Sequence, residues 1–410
     1  MKKYVIFSPC IGGMGGGQMY TRNKMLYMRQ KGWKVDVLSP ITSNIVIQDL
    51  KEFENGYPFP AFPINFYTTN RKISVVEDLV NIINDDNYEE IIIETNSINA
   101  ATWAEAIAEI IQAKHFAYPL GETFVITNKG VQNYLVFKHQ RRELAGIDKD
   151  SLAHIFQKFS PIDINQSYYV YAYCNNVEAD VDSPFLHSIK KEKYDSIVGC
   201  LSRLDKPFVI PAIKEFCQYA NENKDKKFFL LLMGDKSVDK SKDTGIGEII
   251  KSQTNNVDYV MTGNLYPVPT KLLDMCDAFF SSAGSAWVCA RSGVPTIVYD
   301  VNDLRPIGLL DRTTKNCLYR NEKEPPVDFS YLMNQILIEK KYKRIAPYYE
   351  SGLPDFQSHM DFIKQSASDK AYYDVFSIKA ENTAERIHKM AIGIMGDVNY
   401  NRLLKIKDKL

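Results

Sequence analysis

Short apolar runs alternate along this chain with longer segments whose apolar positions recur every three or four residues. Such alternation predicts parallel β-strands, buried on both faces, separated by amphipathic helices. In the first half "KYVIF" (3–7), "KVDVLS" (34–39), "EEIIIET" (89–95) and "KHFAYPL" (114–120) read as strands, with helices over 17–32 and 99–112. A less regular stretch follows, in which 136–159 reads as helical and 167–175 as extended. A second series begins near 195: strands over 195–202, 227–235, 257–263, 277–282 and 295–300 are spaced by helices over 210–223, 246–253, 269–276 and 284–293. The polar, charged segment 175–193 contains Pro184 and reads as the linker between the two series. The expectation is an α/β protein with two Rossmann-like domains, 1–190 and 191–375, and an amphipathic helical tail over 376–410 that packs back on the first domain.

Composition narrows the partners. With 50 basic and 50 acidic residues in 410, the chain gives no global electrostatic reason to bind nucleic acid or to adhere to anionic lipid. Its seven cysteines form no C-x-x-C pair and find no histidine at metal-ligand spacing, so they read as reduced and structural, with a cytoplasmic address. The apolar run at the N-terminus stops at Pro9, too short for a signal segment, and no stretch approaches the roughly 20 apolar residues that span a bilayer. A soluble or membrane-peripheral protein is expected. Neither domain shows a D-x-D element at a strand end where a divalent ion would bridge phosphates; "DVD" at 180–182 falls in the linker, so no metal is expected.

Directly after the first strand, "PCIGGMGGGQMYTRNK" (9–24) places five glycines within six positions, just before a helix. A dinucleotide fingerprint would need a third glycine where Gln18 stands and an acid closing the second strand, which instead ends in Ser39 and Pro40. What the loop offers is bare backbone that a ligand can approach, followed by the unpaired N–H groups of a helix start, an arrangement suited to phosphate.

The order strand, glycine loop, helix, then "KGWKVDV" with Lys31, Gly32, Trp33 and Val35, resembles the opening of the two-domain GT-B glycosyltransferases. The second series is similar to the same family, of the family 4 or group 1 type. "IVGCLSRLDKPFVIPAIKEF" carries Arg203, Leu204 and Lys206 where relatives place the basic segment that closes on the donor diphosphate, although no glycine follows the lysine. Gly234, Gly263 and Asp277 line up with the later strand ends, and Gly293, Val294 and Pro295 with the end of the nucleotide-sugar motif. Within that motif Ser282, Ala283, Gly284 and Ser285 would open a helix toward the phosphates. Many retaining members carry two glutamates eight positions apart in this motif; counting back from Gly293 puts Phe280 and Val288 there.

The resemblance implies two domains facing a cleft, with Gly13, Gly15, Gly16 and Gly17 on the acceptor side. It also implies a UDP- or GDP-linked sugar donor, used as substrate without a further cofactor, and a carbohydrate or lipid-linked acceptor in cell-surface polysaccharide assembly. Family members often carry a catalytic or sugar-binding side chain after the fourth or fifth strand of the first domain, which singles out Glu122 as general base or sugar-hydroxyl ligand. Glu94 and Asn96 end the preceding strand and are second acceptor candidates, with Asn99 beside them, while Asn96 or Ser97 also suits a helix N-cap. His115 reads as a packed side chain. Lys138, His139, Arg141 and Arg142 read as a solvated helix face or, in a sharper reading, as a patch for lipid phosphate at the membrane. Two other readings share the fold: a non-hydrolysing nucleotide-sugar epimerase, and a GT-B protein without chemistry that binds sugar or a partner.

Overall fold

The computed structural model describes residues 1–40, 42–54, 56, 58–121, 126–156, 168–174, 177–178, 181–235, 245–349 and 352–407. Two compact units emerge, Met1–Cys174 together with Leu353–Leu410, and Asn175–Gly352. The sequence places the boundaries at 190 and 375. They fall earlier because Val177–Glu178 already pairs as a strand within the second unit, and because the segment from 353 onward packs in the first.

The first unit is built on a parallel sheet of β1 (Lys2–Phe7), β2 (Lys34–Leu38), β3 (Glu90–Thr95) and β4 (Lys114–Ala117), in the order β2-β1-β3-β4. Central β1 is flanked on both sides, Tyr4 lying opposite Val35 and Ile92, and its residues Tyr4 to Phe7 are fully buried. This is why the strand is a continuous apolar run rather than an alternating one: each such side chain contributes about 1.5–3 kcal/mol of transfer free energy, whichever face it points to. Helix Ile98–Ile111 starts at Ser97, whose hydroxyl accepts the Ala100 N–H at 3.2 Å, and buries Trp103, whose indole N–H reaches the Phe62 carbonyl at 2.9 Å. The stretch 136–159 is not one helix. Lys129–Gln140 and Lys149–Phe156 are helical, and between them Arg142 takes a left-handed backbone while Leu144 and Ala145 extend the edge beside Ala117. Helices Thr383–Met395 and Asp397–Lys407 belong to this unit, and Val375, Ile378, Ile392 and Tyr400 enter its core.

The second unit adds β5 (Val177–Glu178), β6 (Ser196–Leu201), β7 (Phe228–Met233), β8 (Val257–Met261), β9 (Val268–Pro269), β10 (Ala278–Ser281), β11 (Thr296–Tyr299) and β12 (Pro306–Leu309). Six of these form a sheet in the order β12-β11-β10-β6-β7-β8, parallel except for β12, and β5 pairs with β9. Helices cover both faces over separate cores, one around Phe216, Leu230 and Phe280, the other around Leu231, Leu273 and Phe279. Because β6, β7, β8 and β10 run the same way, the segments that follow them share one edge of the sheet, where open α/β folds bind ligands.

Candidate functional site

In the first unit the chain leaves β1 and reaches helix Gly16–Gln30 through the glycine loop. Gly13 is needed for its backbone: its φ is 72°, and its N–H donates to the Asn44 carbonyl at 2.8 Å. Gly16 and Gly17 answer no such demand. A β-carbon on Gly16 would lie 3.6 Å from the Cys174 sulfur, and one on Gly17 would lie 3.9 Å from Leu120, both ordinary contacts; on Gly15 it would press the Gln18 amide oxygen at 3.1 Å. The helix has no side-chain cap and no acid in its first turn. Bareness here therefore leaves the first-turn N–H groups unscreened, with the positive end of the helix dipole behind them.

Glu94 and Asn96, expected against an acceptor, lie inside the protein. The Glu94 carboxylate is fully buried and accepts from Tyr4 Oη at 2.6 Å, Tyr20 Oη at 2.7 Å and Asn96 Nδ2 at 2.9 Å, with Lys24 Nζ 3.6 Å away. Lys24 lies between the rings of Tyr4 and Phe356, and burial lowers its pKa to about 8 against the pull of Glu94. Burial and then Glu94 push the Tyr4 and Tyr20 hydroxyls well above their usual 10, so both stay donors. His359 closes the cluster. Burial and Lys24 hold it neutral, well below 6.5, and its Nε2 donates to the Tyr171 carbonyl at 2.9 Å. Tyr4, Lys24, Glu94 and His359 come from four separate elements, so no local spacing announces the group. Glu122 lies outside the described residues.

In the second unit, the edge beyond β6 carries the two cations. Arg203 is exposed, its Nε 3.5 Å from Asp205, and Lys206 follows in the turn that leads to helix Val209–Glu222. This edge is held by backbone contacts only glycine permits. Gly234 has φ 143°, and a β-carbon there would come 1.9 Å from the Ser202 carbonyl oxygen, while its N–H donates to the Gly263 carbonyl at 3.1 Å. Gly234 and Gly263 thus shape the edge through their backbone. Next to it, Ser281 Oγ donates to the Leu201 carbonyl at 2.7 Å, tying the start of helix Ala283–Arg291 to the end of β6. The Ser282 hydroxyl is turned inward, donating to the Tyr299 carbonyl at 3.0 Å, and Ala283, with φ 59°, gives its N–H to the Cys317 carbonyl at 2.7 Å. Gly284 and Ser285 keep the open N–H groups: Gly284 is exposed, and nothing lies within 4 Å of where its β-carbon would be.

No protein-family model and no curated protein matches the sequence. Solved structures do. A glycosyltransferase from Rickettsia africae superposes over 72% of this chain and 79% of its own, with TM-score 0.52 and 17% identity. Anabaena HepE in complex with UDP covers 92% of this chain and 97% of its own, with TM-score 0.54 and 14% identity. HepE in complex with UDP-glucose covers 95% and 99%, with TM-score 0.53 and 14% identity.

The chain has the GT-B fold.

On this GT-B frame Phe280, at the first of the two glutamate positions, is fully buried among Phe216, Tyr299 and Phe329, and Val288, at the second, packs into the other core. Asp300, which sequence reasoning passed over, sits buried at the end of β11. Its carboxylate accepts the N–H groups of Asn302 and Arg320, both at 2.7 Å, and so holds a turn. The basic group at 138–142 is neither solvated nor a lipid patch. Lys138 is 1% exposed, bonded to Glu105 at 3.0 Å and Glu143 at 2.7 Å, and Arg141 forks onto Asp369. His115 completes this network, its Nδ1 2.7 Å from Glu105; burial alone would raise the Glu105 pKa, but Lys138 and His115 bring it to about 2. Among the described residues no cluster of His, Cys, Asp and Glu is arranged to hold a metal, and no helix is long and apolar enough to cross a membrane.

Proposed function

We propose that the protein transfers a hexose from a UDP- or GDP-linked donor to a carbohydrate or lipid-linked acceptor, in cell-surface polysaccharide or glycoconjugate assembly. The observation that carries this reading is the edge of the second unit, where exposed Arg203 and half-buried Lys206 adjoin a helix start whose Gly284 and Ser285 N–H groups stand open. As the anomeric carbon leaves the donor, its bonding pair passes to the diphosphate, and fixed cations with helix N–H donors stabilise that charge without a metal. The acceptor oxygen forms the new bond at the anomeric carbon, and Glu122 takes its proton. Gly13, Gly15, Gly16 and Gly17 give the acceptor bare backbone to lie on. The UDP and UDP-glucose complexes of HepE support the choice of donor.

Arg203→Ala is expected to weaken UDP binding at least about fivefold by calorimetry, as a lost charge-assisted bond to phosphate would. Unchanged affinity in the folded variant rules the site out. The apolar residues at the two glutamate positions, buried Phe280 and half-buried Val288, favour a second reading, a GT-B protein that binds sugar without transferring it. Mass spectrometry of products from a panel of UDP-, GDP- and CMP-sugars separates the readings. Released nucleotide marks a transferase, altered sugar on intact nucleotide an epimerase, and no turnover with any donor a binding protein.

A further inference from the structure

The C-terminal helices dock one face on the first unit and leave the other uncovered. On the inner face Ile392 is buried, the His388 ring stacks on Phe66 at 5.3 Å, and Tyr400 Oη meets His388 Nδ1 at 2.7 Å. These contacts fix the rotation of helix Thr383–Met395. At 100° per residue, Ile387, Met390 and Ile394 then fall within an arc of about 60° on the outer face. All three are exposed, Ile394 to 78%, and Met395, Val398 and Leu403 continue the apolar surface into helix Asp397–Lys407. Soluble proteins rarely leave so many large apolar side chains together in water without a partner for them.

Charge selects the partner. The acids of the two helices are turned inward: Glu385 accepts from Asn128 Nδ2 and from the Glu381 N–H, both at 2.8 Å, and Asp397 accepts from Tyr67 Oη at 3.5 Å. Two of the cations are not. Arg386 and Arg402 are exposed, and neither holds an ion pair among the described residues. An apolar stripe bordered by unpaired cations matches a surface that is apolar within and anionic at its rim. A second copy of the chain would instead bring like charges together.

We infer that the outer face of helices Thr383–Met395 and Asp397–Lys407 docks on an anionic bilayer surface, with Met390 and Ile394 entering the acyl boundary and Arg386 and Arg402 at the headgroups. This stands apart from the reaction proposed above and needs no donor or acceptor. The test is co-sedimentation of the full chain with vesicles of phosphatidylcholine alone or mixed with phosphatidylglycerol. The wild type is expected to pellet with the anionic vesicles, far less with the neutral ones, and to be released by salt. The double variant Met390→Glu/Ile394→Glu should lower binding at least about tenfold, since it places charge where apolar surface was buried. Arg386→Gln/Arg402→Gln, which keeps the stripe, should also lower it about tenfold or more, and only on anionic vesicles. Unaltered far-UV circular dichroism of both variants establishes that loss of binding is not loss of fold. Wild type that stays in the supernatant, glutamate variants that pellet like wild type, or a wild-type dimer that they split without any vesicle binding would each overturn the inference.

Discussion

Replacing Lys24 by methionine removes a buried ammonium while keeping a side chain of similar length between the rings of Tyr4 and Phe356. Burial lowers the Lys24 pKa from 10.5 to about 8 in the folded protein. In the unfolded chain it returns to about 10.4. Between these values the unfolded chain binds more protons than the folded one, so stability rises with pH through the window, and below pH 8 the cost of the buried charge is fully present. A pKa gap of about 2.5 corresponds to about 3 kcal/mol, of which about 2 kcal/mol is recovered between pH 8 and pH 10. Burial and the nearby Lys389 also lower Lys72 to about 8, which contributes with the same sign. The raised tyrosines contribute with the opposite sign above pH 10. Both effects are present in wild type and variant alike, so the difference between the two proteins isolates Lys24. The assay is urea unfolding at pH 8 and pH 10 in a Trp287→Phe background, so that Trp33 and Trp103 report on the first unit alone. Relative to wild type, Lys24→Met should be about 2 kcal/mol more stable at pH 8 than at pH 10. A difference that stays constant within about 0.5 kcal/mol refutes the reasoning and means that the ammonium is hydrated or paired.

Three further outcomes are expected. Glu122→Gln should slow sugar transfer about 10²–10⁴-fold while UDP affinity by calorimetry stays at the wild-type value; transfer at the normal rate removes Glu122 from catalysis. Gly234→Ala should cost about 3 kcal/mol or more in urea unfolding, because its β-carbon would meet the Ser202 carbonyl at 1.9 Å, whereas Gly284→Ala, with nothing within 4 Å, should cost less than about 1 kcal/mol. Gly16→Val should leave stability within about 1 kcal/mol of wild type, given an ordinary contact with Cys174, and still lower transfer by crowding the open helix start; unchanged transfer would make the loop a turn only.

The parallel sheets were legible because strands covered on both faces, such as "YVIF" and "FFLLLM", must be apolar throughout, and that pattern survives in one dimension. Strand β12 was not: it is four residues long, begins with Pro306 and contains Gly308, so its membership is decided by pairing with β11 alone. The same limit governs the candidate site. Cations after β6 and small residues after β10 are local features and can be read from their position. Whether a polar residue at a strand end faces out or in depends on distant partners, and Glu94 is claimed by Tyr4, Tyr20 and Lys24 from other elements. Lys138 misled for the same reason, since Glu105, 33 residues away, neutralises what reads locally as a basic face.

The division of the chain also sets an order of assembly during synthesis. Residues 175–352 are contiguous, so the second unit has its complete sequence as soon as they leave the ribosome. The first unit, although its strands are made earlier, waits for Phe356 to cover Lys24 and for Val375 and Ile378 to fill its core. Until then the apolar surface beneath those residues stays open to solvent, and the nascent chain carries one finished unit and one unfinished unit at the same time. The half translated first is completed last, and it is this half that a holdase would need to protect.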